Sequence, residues 1–301
     1  MTTVPPPGGA PRRVFVEQIM GLPISVHVRG TGATRPEVDV AVAAAFDDLR
    51  ALDATFSTYR ADSEISRLDR GELTLADASP LVHEVIGLCE QARRRTGGAF
   101  DARLPAPGGG HRYDPSGLVK GWAAERAFAR FRSLAGVDVY LNAGGDVVAS
   151  RTAPDGAAWR IGIEDPRAPG RLVGAVAVRG GAVATSGTAH RGAHIIDPST
   201  GVACDELASV TVVGPTLTWA DVLATAAFVR GADGLDLLPR DEGYEGLAVG
   251  RDGRLLRTPG FRFAGESHSI PGWRSRHGVA IEQAQAWLRH SVPAMAAERA
   301  D

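Results

Sequence analysis

The chain has 301 residues, 44% of them apolar and 23% charged, and a formal net charge of −2. That is the make-up of a soluble globular protein with a full core; it excludes disorder of the whole chain and leaves no basic excess to drive binding to nucleic acid or an anionic membrane. Two cysteines, Cys89 and Cys204, are too few for a disulfide scaffold, and the longest uncharged run, Leu207 to Ala220, is too short to cross a bilayer.

The opening residues, Met1 to Arg13, are rich in Pro and Gly and read as a disordered tail. They hold no apolar stretch of a secretory signal and no lipidation cysteine, which sets the expectation of a cytoplasmic protein. Residues 14–28 split into two β-like runs around Gly21-Leu22-Pro23, a hairpin or a bent strand. Val38, Val42, Ala45, Phe46, Leu49 and Leu52 recur at helical spacing over 36–53. A polar loop with a short helix follows over 54–70. A second long helix is predicted over 79–97, stopped by Arg93 to Arg95 and then Gly97-Gly98.

Residues 98–113 read as a Gly/Pro-rich loop. A helix over 114–133 follows, with Asp114 as its cap and Pro115 in its first turn. Short β-like runs come next, at 137–141, 146–150, 158–163, 172–178, 182–185, 193–196 and 208–213. Thr218 to Val229 reads as a helix closed by Gly231, and a further helix is predicted over 279–289. Strands outnumber helices and the two are partly segregated, so the fold class is α+β. The chain divides into the tail 1–13, a domain over 14–264 and a C-terminal extension over 265–301 of unassigned role.

Four segments carry residues suited to chemistry. Asp221 and Thr225 are four apart on one helix, so they share a face. A carboxylate and a hydroxyl there suit a hard cation such as Mg²⁺; equally, Thr218 and Asp221 suit a capping box and Thr225 could bond its own helix backbone. Lys120, the only lysine beside 32 arginines, stands in the first turns of the helix that Asp114 opens. It is either an ammonium placed for a phosphate or a surface residue surviving a codon bias. The spacing rejects a P-loop. Asn142-Ala-Gly144-Gly145-Asp146 is a ligand-approach turn or a plain hairpin. Ala184 to Gly201 gathers hydroxyls, His190, His194 and Asp197; His194 beside Asp197 is a candidate base or a hydrogen-bonded loop residue. No zinc pattern and no Rossmann fingerprint occurs.

Taken together these segments resemble the ApbE family of FAD:protein FMN transferases. The pieces run in the family's order: Met20-Gly21, Phe56 to Leu68, Gly98 to Asp101, Asp114 to Gly121, Asn142 to Asp146, Trp159 to Pro166, Ala184 to Gly187, His194 to Gly201, Ser209 to Val213 and Ala220 to Thr225. They span residues 14–250. The resemblance implies a mixed, T-fold-like α+β architecture with related halves around a central FAD cleft. It implies FAD as substrate and Mg²⁺ as cofactor, with FMN moved to a Thr or Ser hydroxyl of a target protein and AMP released. Asp221 and Thr225, with the Gly117 carbonyl, match the family's metal ligands. Met20, Tyr59, Ala99, Phe100, Asp101, Asp114, Lys120 and Ile196 match flavin- or nucleotide-contacting positions. His194 and Lys120 match catalytic positions, the first as base and the second as a charge on the phosphates. The alternatives are an FAD pyrophosphatase, with water as nucleophile, and a non-catalytic FAD carrier.

The chain departs from the family pattern in four places. Arg103 stands where members commonly have Thr, the stretch from Asp101 to Asp114 is shorter than usual, and Ala224 stands where Asp often precedes the metal-binding Thr. Many members are exported lipoproteins, and no such signal is found here.

Overall fold

The computed structural model describes residues 10–106, 108–150, 157–189 and 192–266. Its first two strands, β1 (Arg12–Ile19) and β2 (Leu22–Arg29), pair antiparallel from Arg12↔Arg29 to Ile19↔Leu22. That register leaves Met20 and Gly21 as a two-residue turn, both with positive φ, 58° and 67°. Two left-handed residues match the twist of a tight hairpin. The turn thus sits one residue before the break read at Gly21, and β1 starts two residues earlier than expected.

The helices follow from apolar spacing. In α1 (Pro36–Phe56) every apolar position that the 3.6-residue period marks is buried, from Val38 to Leu52. Pro36 in the first turn, with Glu37 and Asp39 near it, suits the positive end of a helix. Next come α2 (Glu64–Asp69), capped by the Ser63 hydroxyl accepting from the Ser66 amide at 3.1 Å, and α3 (Pro80–Arg95). Residues 98–113, expected as a loop, hold a small hairpin, β3 (Arg103–Pro105) and β4 (His111–Tyr113). The expected helix over 114–133 is α4 (Ser116–Phe128), followed by a single 3-10 turn to Phe131.

Six further strands and one hairpin complete the sheet structure: β5 (Asp138–Ala143), β6 (Asp146–Ser150), β7 (Trp159–Glu164), β8 (Leu172–Val178), β9 (Gly181–Gly187) and β10 (Leu207–Gly214), then, after α5 (Leu217–Arg230), β11 (Glu245–Gly250) and β12 (Leu255–Arg257). The run 193–196 is not a strand; only Ile196 makes a bridge, to Ala203. The helix predicted over 279–289 lies outside the described residues. The α+β class holds.

One eight-stranded sheet runs in the order β1-β2-β5-β6-β9-β10-β11-β12, antiparallel throughout. Alternate residues serve two cores, as the period of a strand requires. Val148, Ala184, Val212 and Ala248 face the main core with α1, α4 and α5. Ala149, Val183 and Leu247 face a smaller core with Ile163 and Val176 of the β7–β8 hairpin and with Phe261. Helix α5 is apolar on nearly every side and is accordingly buried along its length, between α4 and strands β9 and β10.

The sheet is thinnest at its middle. β6 and β9 pair only over Val147↔Val183, Val148↔Ala182 and Ala149↔Gly181. Beyond Val147 the ladder stops, and there the chain places Asp146. Antiparallel register gathers the Met20-Gly21 turn, the Gly144-Gly145 turn and the end of β9 at this same end of the sheet. The Gly144 amide donates to the Pro23 carbonyl at 3.2 Å, tying the first two turns together.

Candidate active site

Helices α4 and α5 approach closely because residue 121 has no side chain. A Cβ on Gly121 would lie 2.9 Å from the Leu217 carbonyl oxygen and 3.0 Å from the Asp221 Cβ. This contact brings Asp221, 1% exposed, against the first turns of α4. The Gly121 amide donates to Asp221 Oδ2 at 3.2 Å. Helical geometry aims that same amide at the carbonyl of Gly117, four residues back.

Lys120, the only lysine, reaches across this turn. Its ammonium forms a short ion pair with Asp146 Oδ2 and a longer one, 3.4 Å, with Asp221 Oδ1. Both carboxylates are buried. Burial alone would depress the Lys120 ammonium; the two carboxylates outweigh it and hold the group well above the ordinary lysine value. Desolvation pushes Asp221 up, and the neighbouring Asp146 adds to that, while Lys120 opposes it. Lys120 is thus neither a free surface residue nor a chance survivor on an open helix face.

The sequence marks Asp146 only as part of a turn and carries no sign of its ion pair with Lys120. The turn itself is confirmed: Gly144 and Gly145 have φ of 61° and 107°, and Ala143 pairs with Asp146. Asn142 Oδ1 accepts from the Gly145 amide at 2.8 Å. Asp146 Oδ1 accepts from the Thr185 amide of β9 at 2.9 Å, replacing the backbone partner that the broken ladder no longer supplies. Its Oδ2 has the Lys120 ammonium and, among the described residues, no further hydrogen-bond partner.

The alternative roles for Asp221 and Thr225 are not the ones realised. Thr218 does not form a capping box with Asp221; its amide and hydroxyl donate to Glu125 Oε2 at 3.1 and 2.6 Å. The Thr225 hydroxyl lies 3.0 Å from that of Ser186 on β9. Thr225 therefore faces the end of β9, one turn of helix beyond Asp221, which faces α4. Among the described residues no group of three or more His, Cys, Asp and Glu side chains gathers. The donors here are carboxylate, hydroxyl and carbonyl oxygens, a set that fits a hard cation such as Mg²⁺ and not zinc.

The remaining candidates lie on other segments, and the Phe100 ring among them has a contact to the start of α4. Ala99 and Phe100 are buried, and the Phe100 ring packs on Gly117, 3.2 Å from where a Cβ would stand. Asp101 Oδ1 accepts from the Arg103 amide at 2.9 Å, so the residue that departs from the family pattern is bonded to the strip it follows. The cap of α4 is Pro115 and not, as expected, Asp114, which stands one residue earlier: its Oδ1 accepts from the Ser116 amide at 3.1 Å in a local turn before the helix, and it pairs with Arg112 at 2.9 Å. Met20 lines a cavity of about 390 Å³ with Gln18, Arg50, Asp53 and Arg60; Tyr59, next to Arg60, is 98% exposed.

His194 is exposed on the loop after β9, and Ile196 close by is half-buried. The His194 Nδ1 lies 3.1 Å from the Gly192 carbonyl, which can only accept. The Nδ1–H therefore donates to that carbonyl. Asp197 is committed to its own turn: Oδ1 accepts from the Ser199 amide and hydroxyl at 2.8 and 2.7 Å. Desolvation raises Asp197, yet the bonds from Ser199 and Thr200 prevail and hold it below the ordinary carboxylate value. Cys89 and Cys204 are unpaired in any disulfide, and burial pushes the Cys89 thiol up to about 12. No described helix is long and apolar enough to cross a membrane.

The profile of the ApbE family matches residues 20–107 and 103–248. A Klebsiella pneumoniae protein named FAD:protein FMN transferase is 31% identical over 163 residues, 50% of this chain and 46% of that protein. The chain thus aligns with less than half the length of this curated relative. The crystal structure of the ApbE protein from Thermotoga maritima superposes with a TM-score of 0.70 at 21% identity, over 83% of this chain and 97% of that one. That of the Pseudomonas stutzeri flavinyl transferase ApbE in its apo form gives 0.68 at 26% identity, over 83% and 94%.

Proposed function

The chain belongs to the ApbE family, and from that premise we propose that it is an FAD:protein FMN transferase. It would move FMN from FAD to a Thr or Ser hydroxyl of a target protein and release AMP, with Mg²⁺ as cofactor. The observation that carries this reading is the buried pair of carboxylates, Asp146 and Asp221, gathered on the Lys120 ammonium beside the Thr225 hydroxyl. A cluster of that kind is built to handle strong charge in a place with little water.

Asp221 and Thr225, with the Gly117 carbonyl, would hold the cation. Bound there, Mg²⁺ supplies charge neutralisation on the phosphoryl oxygens. Lys120 presents a second positive charge from a fixed position, held by Asp146, to phosphate oxygens as AMP departs. His194 Nε2 accepts the proton of the incoming hydroxyl, while the bond to the Gly192 carbonyl orients the ring. Met20, Tyr59, Asp101, Asp114 and Ile196, with the Ala99-Phe100 backbone, would border the flavin and nucleotide. Most of the remaining rate enhancement comes from positioning these groups.

A second reading is hydrolysis of FAD to FMN and AMP. The exposure of His194 favours it, since water reaches the same base. One experiment separates the readings. The purified chain is incubated with FAD, Mg²⁺ and a domain carrying a flavinylation Thr, and products are read by intact mass. One FMN moiety gained by the target, together with AMP, establishes the transferase. AMP and free FMN without labelling establish the pyrophosphatase activity, and bound FAD with no cleavage leaves a carrier.

A further inference from the structure

The Lys120 ammonium sits unequally between its two carboxylates. It is in close contact with Asp146 and 3.4 Å from Asp221. Asp146 is fixed on its other side by the Thr185 amide, at 2.9 Å, so it cannot swing to follow the lysine. Asp221, by contrast, is the group read above as a cation ligand, and an ammonium lying on it would compete with the cation for the same oxygens. We propose that Asp146 is a positioning residue that parks Lys120 beside the metal site and so keeps Asp221 open to the cation.

The proposal rests on the reading of Asp221 as a metal ligand. Its logic is one of charge and place. Lys120 extends from α4 into a buried space that offers two acceptors. Removing the nearer one leaves Asp221 as the remaining partner, and an ammonium on a side chain only 26% exposed, beside a buried carboxylate, pairs with it. The lysine then settles on Asp221 and the cation must displace it. Removing the lysine as well lifts that competition, although Asp146 is still missing.

The test titrates Mn²⁺ alone into the full-length chain and reads free Mn²⁺ by its paramagnetic resonance signal. The expected result is binding by the parent, loss in Asp221→Asn, and weakening by about tenfold or more in Asp146→Asn, as expected for an unscreened charge at contact distance. The double variant Asp146→Asn/Lys120→Met returns to within about threefold of the parent. Parent-like binding by Asp146→Asn overturns the proposal. A double variant as weak as the single one also overturns it and makes Asp146 a direct ligand. Failure of the parent to bind, or parent-like binding by Asp221→Asn, overturns the metal reading and the proposal with it. Near-ultraviolet circular dichroism checks that each variant is folded. If Asp146→Asn is not, Lys120→Met alone decides: Mn²⁺ binding must tighten, and unchanged or weaker binding overturns the proposal.

Discussion

Gly121 and Asp221 lie so close that a Cβ on the glycine would stand 3.1 Å from the carboxylate oxygen Oδ2. The consequence can be measured. In an open helix, Gly→Ala gains up to about 1 kcal/mol of helix propensity. Here the new methyl also meets the Leu217 carbonyl at 2.9 Å, and backbone cannot step aside cheaply. Overpacking of this kind costs about 1–3 kcal/mol, so the net sign is destabilising. Gly121→Ala should lower the denaturant midpoint. A higher midpoint would show that the two helices have room to separate.

Much of this arrangement was legible in the sequence, and the missing part has a physical reason. The apolar period located α1 within a few residues, Gly231 marked the end of α5, and Asp221 and Thr225 share a helix face because four residues make about one turn. The Gly144-Gly145 hairpin followed from its glycines. The hairpin β3–β4 was hidden because three-residue strands are too short to show alternation. The strand expected at 193–196 failed because Asp197 draws its neighbours into a turn. Asp146 was hidden for a different reason. Its role depends on β6 losing its partner beside β9, and on α4 delivering Lys120 to that gap; no local pattern encodes either. Glu125 is similar, since its partner Thr218 comes from another helix.

Asp221→Asn keeps an oxygen for the Gly121 amide and removes the charge. It should leave the fold intact and reduce cation-dependent turnover about a hundredfold or more, the scale of a lost electrostatic catalyst. Turnover is measured against Mg²⁺ concentration, and full recovery at saturating Mg²⁺ would contradict a ligand role. Thr225→Val should weaken Mg²⁺ dependence in the same direction. Ser186→Ala, which removes only the neighbour of that hydroxyl, should cost less than about tenfold, since a neutral hydrogen bond contributes about 1 kcal/mol.

His27 provides a pH dependence of stability. It stacks on Tyr140 with ring centroids 4.1 Å apart, its Nε2 lies 3.1 Å from the Ser25 hydroxyl, and desolvation lowers its pKa from 6.5 to about 4. The depressed value means that the folded state holds the neutral ring. Between about pH 6.5 and 4 the unfolded chain binds a proton that the folded chain does not, so stability falls as pH falls through that window. The contribution is at most about 3 kcal/mol. Urea midpoints at pH 7.5 and 5 should differ more for the parent than for His27→Gln. Equal slopes in the two proteins would remove His27 as the cause.

His194→Ala separates a base from a binding contact. The side chain is exposed, so its loss should leave the unfolding midpoint within about 0.5 kcal/mol of the parent. FAD affinity, followed by flavin fluorescence, should also be retained. Transfer to the target hydroxyl should slow by about 10²–10⁴, the usual contribution of a general base. Weakened FAD binding with an unchanged transfer rate at saturating FAD would instead make His194 a ligand contact and send the search for the base elsewhere on the loop that follows β9.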